Sequence, residues 1–314
     1  MTSNRVDYSI VIPVYYNEGC LEGLVSKIKD EVVSMNRGRI CEILFIDDGS
    51  GDGSMVEMQR ILEGNKGLVR IVKLTRNFGQ VNAMRAGMAM AKGECVIMIS
   101  ADNQDPPSLI NEMLKAYYDE GCEIVIATRA GREDSFYRIM TSKLFYKLMK
   151  KLSFPSMPDG GFDYVLIGRN ALKVLSNIKD TTLFLQGQIL WMGFKTKTIS
   201  YHRNKRLVGE SKWSFRKKMS MFVESIVSNS FFPIRILSLI GITVAILGFV
   251  YAAIIFLDKV FIGNVVKGWT PLIIIVLIIG GLQLTMLGII GEYIWRTLDQ
   301  VRDRPQYIVE QIYE

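Results

Sequence analysis

The chain has 314 residues, of which 49% are hydrophobic and 22% charged. A positive mean hydropathy of +0.21 beside so many charges excludes an evenly soluble composition and predicts a watery part and a lipid part. The net charge of +7 admits nucleic acid, anionic lipid or a phosphorylated substrate, so the placement of the basic residues has to decide.

The opening residues, 1–18, lack the basic and long apolar regions of a signal peptide, so the domain they begin is expected in the cytosol. Residues 8–14, 42–46, 69–74, 95–99 and 123–127 are short apolar runs bounded by turns, with longer helical stretches between them. That alternation predicts an α/β domain with a mostly parallel sheet covered by helices. Such sheets bind ligands beyond the carboxyl ends of their strands. The polar residues 15–18, 47–50, 76–80 and 100–105 cluster there. Cys20, Cys41, Cys95 and Cys122 form no Cys-x-x-Cys pair, which argues against a disulfide framework or zinc site. His202 is the only histidine, which excludes multi-histidine metal sites and argues against a serine triad.

Further along, residues 136–151 and 213–231 read as basic amphipathic helices lying on a membrane surface. Residues 236–257 and 269–291 carry no charge and are each long enough to cross a hydrocarbon core of about 30 Å as a helix. Lys212, Arg216, Lys217, Lys218 and Arg235 precede the first span, and Arg296, Arg302 and Arg304 follow the second. The positive-inside rule then places both termini in the cytoplasm, with residues 258–268 outside. Because the basic residues track these membrane-proximal segments, lipid is favoured over nucleic acid as their partner. The expected organisation is a catalytic domain over 1–230, a two-helix membrane domain over 231–292 and a cytoplasmic tail over 293–314.

The chemistry resides in Ser100-Ala-Asp102-Asn-Gln104-Asp105, directly after a strand. Asp102 and Gln104 are two residues apart, a spacing that keeps both side chains on one side of an extended chain. Their oxygens suit a hard divalent cation, which would neutralise a departing diphosphate. This stretch occurs in order with IVIPVYYNE (10–18), ILFIDDGSGDGS (43–54), RNFGQ (76–80), PDGGFDYVL (158–166) and RLVGESKWSF (206–215). With these motifs the chain resembles inverting GT-A glycosyltransferases of the dolichyl-phosphate-mannose synthase type, and among them the bacterial polyprenyl-phosphate glycosyltransferases with two C-terminal spans. The resemblance extends over nearly the whole chain.

It implies transfer of a sugar, glucose from UDP-glucose being the expectation, to undecaprenyl or another polyprenyl phosphate at the cytoplasmic membrane of a bacterium. GDP-mannose, UDP-N-acetylglucosamine and an amino-arabinose donor remain alternatives. Carried over by residue, Pro13, Tyr15 and Glu18 line the nucleoside pocket, Asp47 or Asp48 contacts the base, and Arg76 approaches the nucleotide. Asp102 and Gln104 hold Mg²⁺ or Mn²⁺, and Asp163 lies near the reacting centre. Arg129, Arg206, Ser211 and Lys212 hold phosphate. Many relatives have Asp-x-Asp where this chain has Ser100-Ala-Asp102, which leaves the identity of the metal open. Gly281, Thr285 and Gly288 form a small-residue stripe on the second span, and a homo-oligomer, a tetramer by the same resemblance, is expected.

Rival readings fit less well. A dinucleotide-binding Gly-x-Gly-x-x-Gly would need glycine at Ser54, and Asp47 and Asp48 would repel a pyrophosphate. The Gln-x-x-Arg-Trp signature of processive polysaccharide synthases is absent, Gln186-Gly-Gln-Ile-Leu-Trp191 being only a distant echo of it, and a non-enzymatic scaffold has no use for the acidic motifs.

Overall fold

The computed structural model describes residues 5–129, 157–158, 161–178, 184–202, 232–261, 269–302 and 304–314. The chain divides into two compact units, Met1–Phe222 with Pro305–Glu314, and Val223–Arg304.

The first unit is built on an eight-stranded sheet of β1 (Tyr8–Val14), β2 (Cys41–Asp47), β3 (Val69–Leu74), β4 (Cys95–Met98), β5 (Ile124–Arg129), β6 (Val165–Gly168), β7 (Thr196–Tyr201) and β8 (Val309–Tyr313). Their order across the sheet is β7-β5-β6-β4-β1-β2-β3-β8. β1 runs parallel to β2 and β4, β2 to β3, and β5 to β7. β6 is antiparallel to β4 and β5, and β8 to β3. The carboxyl ends of β1 to β5 and of β7 therefore share one end of the sheet, and β6 begins there. The strand order reverses between β1 and β4, which is the topological switch point where open α/β sheets form their ligand crevice.

The five strands expected from sequence are all present. β2 is buried along all seven residues, as an apolar run covered on both faces must be. β6, β7 and β8 carry weaker signals. β6 is four residues long, while β7 (TKTISY) and β8 (VEQIY) are largely exposed and polar, as strands at the two sheet edges are expected to be. Residues 309–313, assigned by sequence to a C-terminal tail, thus complete the sheet.

Helices α1 (Leu21–Ile28), α2 (Ser54–Gly64), α3 (Gln80–Met90), α4 (Leu109–Tyr118), α5 (Arg169–Asn177) and α6 (Leu185–Trp191) accompany the strands. Leu21, Leu24, Val25 and Ile28 recur at helical spacing and bury one face of α1 in the core that holds Ile10, Ile12 and Val14. Each such side chain contributes about 1.5–3 kcal/mol by leaving water. α3 packs on β1 and β2 through Gly87, where an added Cβ would collide with Val11 Cγ1.

At the opposite end of the strands a polar cluster is buried. Glu42, 3% exposed, accepts from Ser9 Oγ at 2.5 Å, Arg70 Nη1 at 2.5 Å and Lys92 N at 3.0 Å. Arg70 also pairs with Glu314 at 2.8 Å, beside β8. Gly93 N donates to Ser9 Oγ at 2.9 Å. All four cysteines are free and buried.

The second unit contains α7 (Phe232–Phe261) and α8 (Trp269–Val301), 30 and 33 residues long. At 1.5 Å per residue both exceed the hydrocarbon thickness of a bilayer, about 30 Å. Large apolar side chains, among them Phe249, Leu284 and Trp295, stand exposed along them. Within the described residues, Ile278–Val301 is long and apolar enough to cross a membrane, and Leu239–Tyr251 is a shorter apolar stretch. The two helices pack where a Cβ on Gly241 would stand 2.7 Å from Met286 Cε. The amphipathic segments 136–151 and 213–231 lie outside the described residues.

Two glycines separate packing from flexibility. A Cβ on Gly93 would stand 2.6 Å from Ser9 N and 2.7 Å from Tyr8 C, which are backbone atoms that cannot yield. Gly64, the last residue of α2, faces open space. Gly93→Ala is expected to lower stability by about 1–3 kcal/mol, while Gly64→Ala is neutral or stabilising by up to about 1 kcal/mol. Thermal and denaturant unfolding of the two detergent-solubilised variants checks the contrast.

Candidate functional site

At the carboxyl end of β2 the sequence Asp47-Asp48-Gly49-Ser50 makes a tight turn. Gly49 has φ +72°, and a Cβ there would lie 2.7 Å from Asn77 N, so both conformation and space require glycine. The turn consequently lies against the backbone of Arg76 and Asn77. Asp48 accepts from Phe78 N at 2.7 Å, Gly79 N at 3.0 Å and Asn77 Nδ2 at 3.0 Å. Burial raises its pKa despite the Phe78 and Gly79 amides, and neighbouring Asp47 adds to the rise. The Asp48 carboxylate thus ties the turn to the loop that leads into α3.

Asp47 is 0% exposed. Its Oδ1 accepts from Ser50 N at 3.1 Å, while its buried Oδ2 has no hydrogen-bond partner among the described residues. Tyr15 and Tyr16 follow β1 with their rings edge to face at 4.7 Å. Both are exposed, and Tyr16 N donates to Ser50 Oγ at 3.2 Å. Pro13 is half-buried within β1, opposite Ile46. Glu18 accepts from Gly53 N at 3.0 Å, at the start of α2. The Arg76 guanidinium stands over the Phe78 ring at 4.8 Å. The structure therefore gathers Pro13, Tyr15, Glu18, Asp47, Asp48 and Arg76 around the ends of β1 and β2. Glu18 and Asp48 each accept from backbone amides there.

Beyond β4 the chain turns sharply, with Asn103 at φ +57°. Asn103 Nδ2 donates to Cys20 O at 2.7 Å, which anchors the turn to the start of α1. The Ser100 hydroxyl lies 2.7 Å from Asp102 Oδ1 and 2.6 Å from Asp105 Oδ2. Gln104 N also donates to Asp102 Oδ1, at 3.2 Å. Among the described residues no three His, Cys, Asp or Glu side chains converge as a ready cation cage. The turn at Asn103 replaces the extended run from which the sequence spacing put Asp102 and Gln104 on one side; by type, their oxygens still suit a hard cation that takes its remaining ligands from substrate phosphates and water.

The third group is assembled by strand register. Arg129 at the end of β5 is the register partner of Tyr201 at the end of β7. Ala127 N donates to Tyr164 O at 3.0 Å, which brings the residues just before β6 alongside. Arg129 Nη2 reaches Asp163 Oδ2 at 3.4 Å, and Gln186 Nε2 lies 3.4 Å from Asp163 Oδ1. Burial opposes the Arg129 charge, but Asp163, with Tyr201 and Asp105, outweighs it and raises the guanidinium pKa. The Tyr201 hydroxyl donates to Asp105 Oδ1 at 2.5 Å. Burial, with Asp105, raises the phenol pKa, so this group is a neutral donor at any working pH.

One connected network thus runs from Asp102 through Ser100, Asp105, Tyr201 and Arg129 to Asp163. Asp105, Tyr164, Gln186 and Tyr201 take part in this region without having been singled out from sequence. Asp105 lies inside a recognised motif and Gln186 opens a stretch, 186–191, that distantly echoes the processive-synthase signature, whereas Tyr201 carries no local signal. Arg206, Ser211 and Lys212 lie outside the described residues.

The family model for glycosyl transferase family 2 matches residues 9–176. An uncharacterized glycosyltransferase of Bacillus subtilis (strain 168), YkcC, is 36% identical over 99% of this chain and 95% of its own length. A prophage bactoprenol glucosyl transferase homolog of Escherichia coli (strain K12) is 33% identical over 97% of this chain and 98% of its own. Among solved structures, glucosyl-3-phosphoglycerate synthase from Mycobacterium tuberculosis, in complex with Mn²⁺, uridine diphosphate and glucosyl-3-phosphoglycerate, is similar with a TM-score of 0.50. It is 16% identical, over 71% of this chain and 78% of that one, which bears on fold alone. The sheet, its switch point and the matched sequence agree: the chain has the GT-A fold and belongs to glycosyl transferase family 2.

Proposed function

We propose that this glycosyltransferase moves glucose from UDP-glucose to undecaprenyl or another polyprenyl phosphate, with inversion, at the cytoplasmic face of a bacterial membrane. The observation that carries the reading is the network at the switch point, which joins the acidic loop residue Asp102 to an Arg129–Asp163 ion pair. The near full-length relatives named for bactoprenol glucosyl transfer support the sugar and the lipid acceptor.

In this reading Asp102 and Gln104 hold Mg²⁺ or Mn²⁺, which supplies charge neutralisation at the departing diphosphate. Asp47, Tyr15 and Arg76 receive the nucleoside end of the donor. Arg129, always charged, brings the acceptor phosphate toward Asp163 against the repulsion of the donor's own phosphates. Arg206, Ser211 and Lys212 add cations and a hydroxyl for the same phosphate. A phosphate monoester has its second pKa near 6, roughly, so the nucleophile is already deprotonated at neutral pH. Asp163 therefore orients the attack and stabilises positive charge at the sugar carbon, without having to act as a strong base.

Apolar α7 and α8 are the membrane anchor. β8 returns the chain to the sheet after them, which supports an even number of crossings with both flanking segments on the catalytic side. The small-residue stripe of Gly281, Thr285 and Gly288 lets helices approach closely and supports a homo-oligomer packed through α8.

Membranes containing the protein, given undecaprenyl phosphate and a panel of radiolabelled nucleotide sugars, are expected to label lipid from UDP-glucose. Labelling from another sugar alone would replace the proposed donor. Asp102→Asn removes a charged ligand from the cation and is expected to cut turnover at least about a hundredfold with the fold intact. Near-normal turnover of that variant, or of the wild type in excess chelator, would sink the metal assignment. Protease added outside right-side-out vesicles is expected to reach residues 258–268 and spare the sheet domain. Cleavage within 1–230 would overturn the topology.

A further inference from the structure

Asp105 is a carboxylate with 2% of its surface exposed, directly beside the loop that carries Asp102 and Gln104. Burying a charge is costly unless it is met by hydrogen-bond donors, and here both oxygens are met. Tyr201, itself 6% exposed, donates to Oδ1 at 2.5 Å, and the Ser100 hydroxyl lies 2.6 Å from Oδ2. The same hydroxyl lies 2.7 Å from Asp102 Oδ1. A second tyrosine reinforces the loop. The Tyr164 hydroxyl donates to Pro106 O at 3.1 Å, and its ring meets that of Tyr201 edge to face at 5.8 Å.

We propose that Asp105 and Tyr201 are positioning residues for sugar transfer. Tyr201 fixes Asp105, Asp105 and Ser100 fix the rotamer of Asp102, and the β5–β7 register holds Tyr201 beside Arg129, the partner of Asp163. The proposal rests on the roles given above to Asp102 and Asp163. Asp105 is too deeply buried to meet a substrate, so it acts through its neighbours. Serine at position 100 is then a required bridge. Its one hydroxyl stands within hydrogen-bond distance of both carboxylates and donates its single proton to one of them at a time, whereas an aspartate there would set a third like charge against Asp102 and Asp105.

The test uses the full-length protein in detergent or membranes, with Mn²⁺ binding in the presence of UDP followed by electron paramagnetic resonance beside steady-state kinetics. Tyr201→Phe removes one hydroxyl and keeps the ring. It is expected to weaken Mn²⁺ binding and lower kcat by about tenfold, the scale of one hydrogen bond to a charged group, with KM for polyprenyl phosphate within about twofold. Ser100→Ala is expected to behave alike, and Ser100→Thr to recover most of the loss. Ser100→Asp is expected to lose activity. A purely structural role would move the melting temperature of Tyr201→Phe and leave Mn²⁺ affinity unchanged, which would overturn the proposal. Equal loss in Ser100→Ala and Ser100→Thr, or gain in Ser100→Asp, would overturn it too. If Tyr201→Phe fails to fold, the Ser100 series decides alone. Asp102→Asn run in parallel separates the levels. Its retaining activity refutes the reading of the site, whereas its inactivity beside a normal Tyr201→Phe refutes only the positioning role.

Discussion

The ladder joining β5, β6 and β7 sets which side chains meet at the carboxyl end of the sheet. β6 is antiparallel, so its start, with Asp163 and Tyr164, arrives where the neighbouring parallel strands end. β5 and β7 are parallel and paired in register to their last residues, so Arg129 and Tyr201 stand side by side. A shift of one residue in either pairing would turn these side chains to the opposite face. Arg129 would then lose Asp163, and Tyr201 would lose Asp105.

Three buried carboxylates around the same end are handled in three ways. Asp48 is met by two backbone amides and an asparagine side chain, so it stabilises the loop before α3. Asp105 is met by two hydroxyls that have further partners of their own, so it couples the loop after β4 to β7. Asp47 keeps one buried oxygen without a hydrogen-bond partner, an arrangement that costs stability and makes sense beside a ligand that supplies a donor. The division follows from geometry, because each carboxylate occupies a different position relative to the amides and hydroxyls of neighbouring strands.

Polar and apolar chemistry are separated along the chain with one exception. After two long apolar helices the last residues return to the sheet as β8, held by the β3 ladder and by the Lys73–Glu310 and Arg70–Glu314 pairs. Lys73–Glu310 is part-exposed, and pairs of that kind contribute little each. Arg70 differs because it also reaches the buried Glu42. The C-terminal strand is thereby connected to the polar cluster at the amino ends of β1 and β2.

What the sequence by itself determined is whatever depends on local pattern. Apolar runs bounded by turns predicted β1 to β5, uninterrupted apolar stretches predicted the two long helices, and ordered acidic motifs predicted the family and the loops that form the site. Short or polar strands such as β6, β7 and β8 left no such pattern, since their stability comes from neighbours supplied by distant segments. The same reason hid Tyr201 as the partner of Asp105, and hid which of Asp47 and Asp48 bonds the loop before α3. Only the tertiary structure decided those, because a hydroxyl 96 residues from its carboxylate becomes a partner through strand register alone, and whether an acid is spent on a backbone amide depends on which loop folds against it.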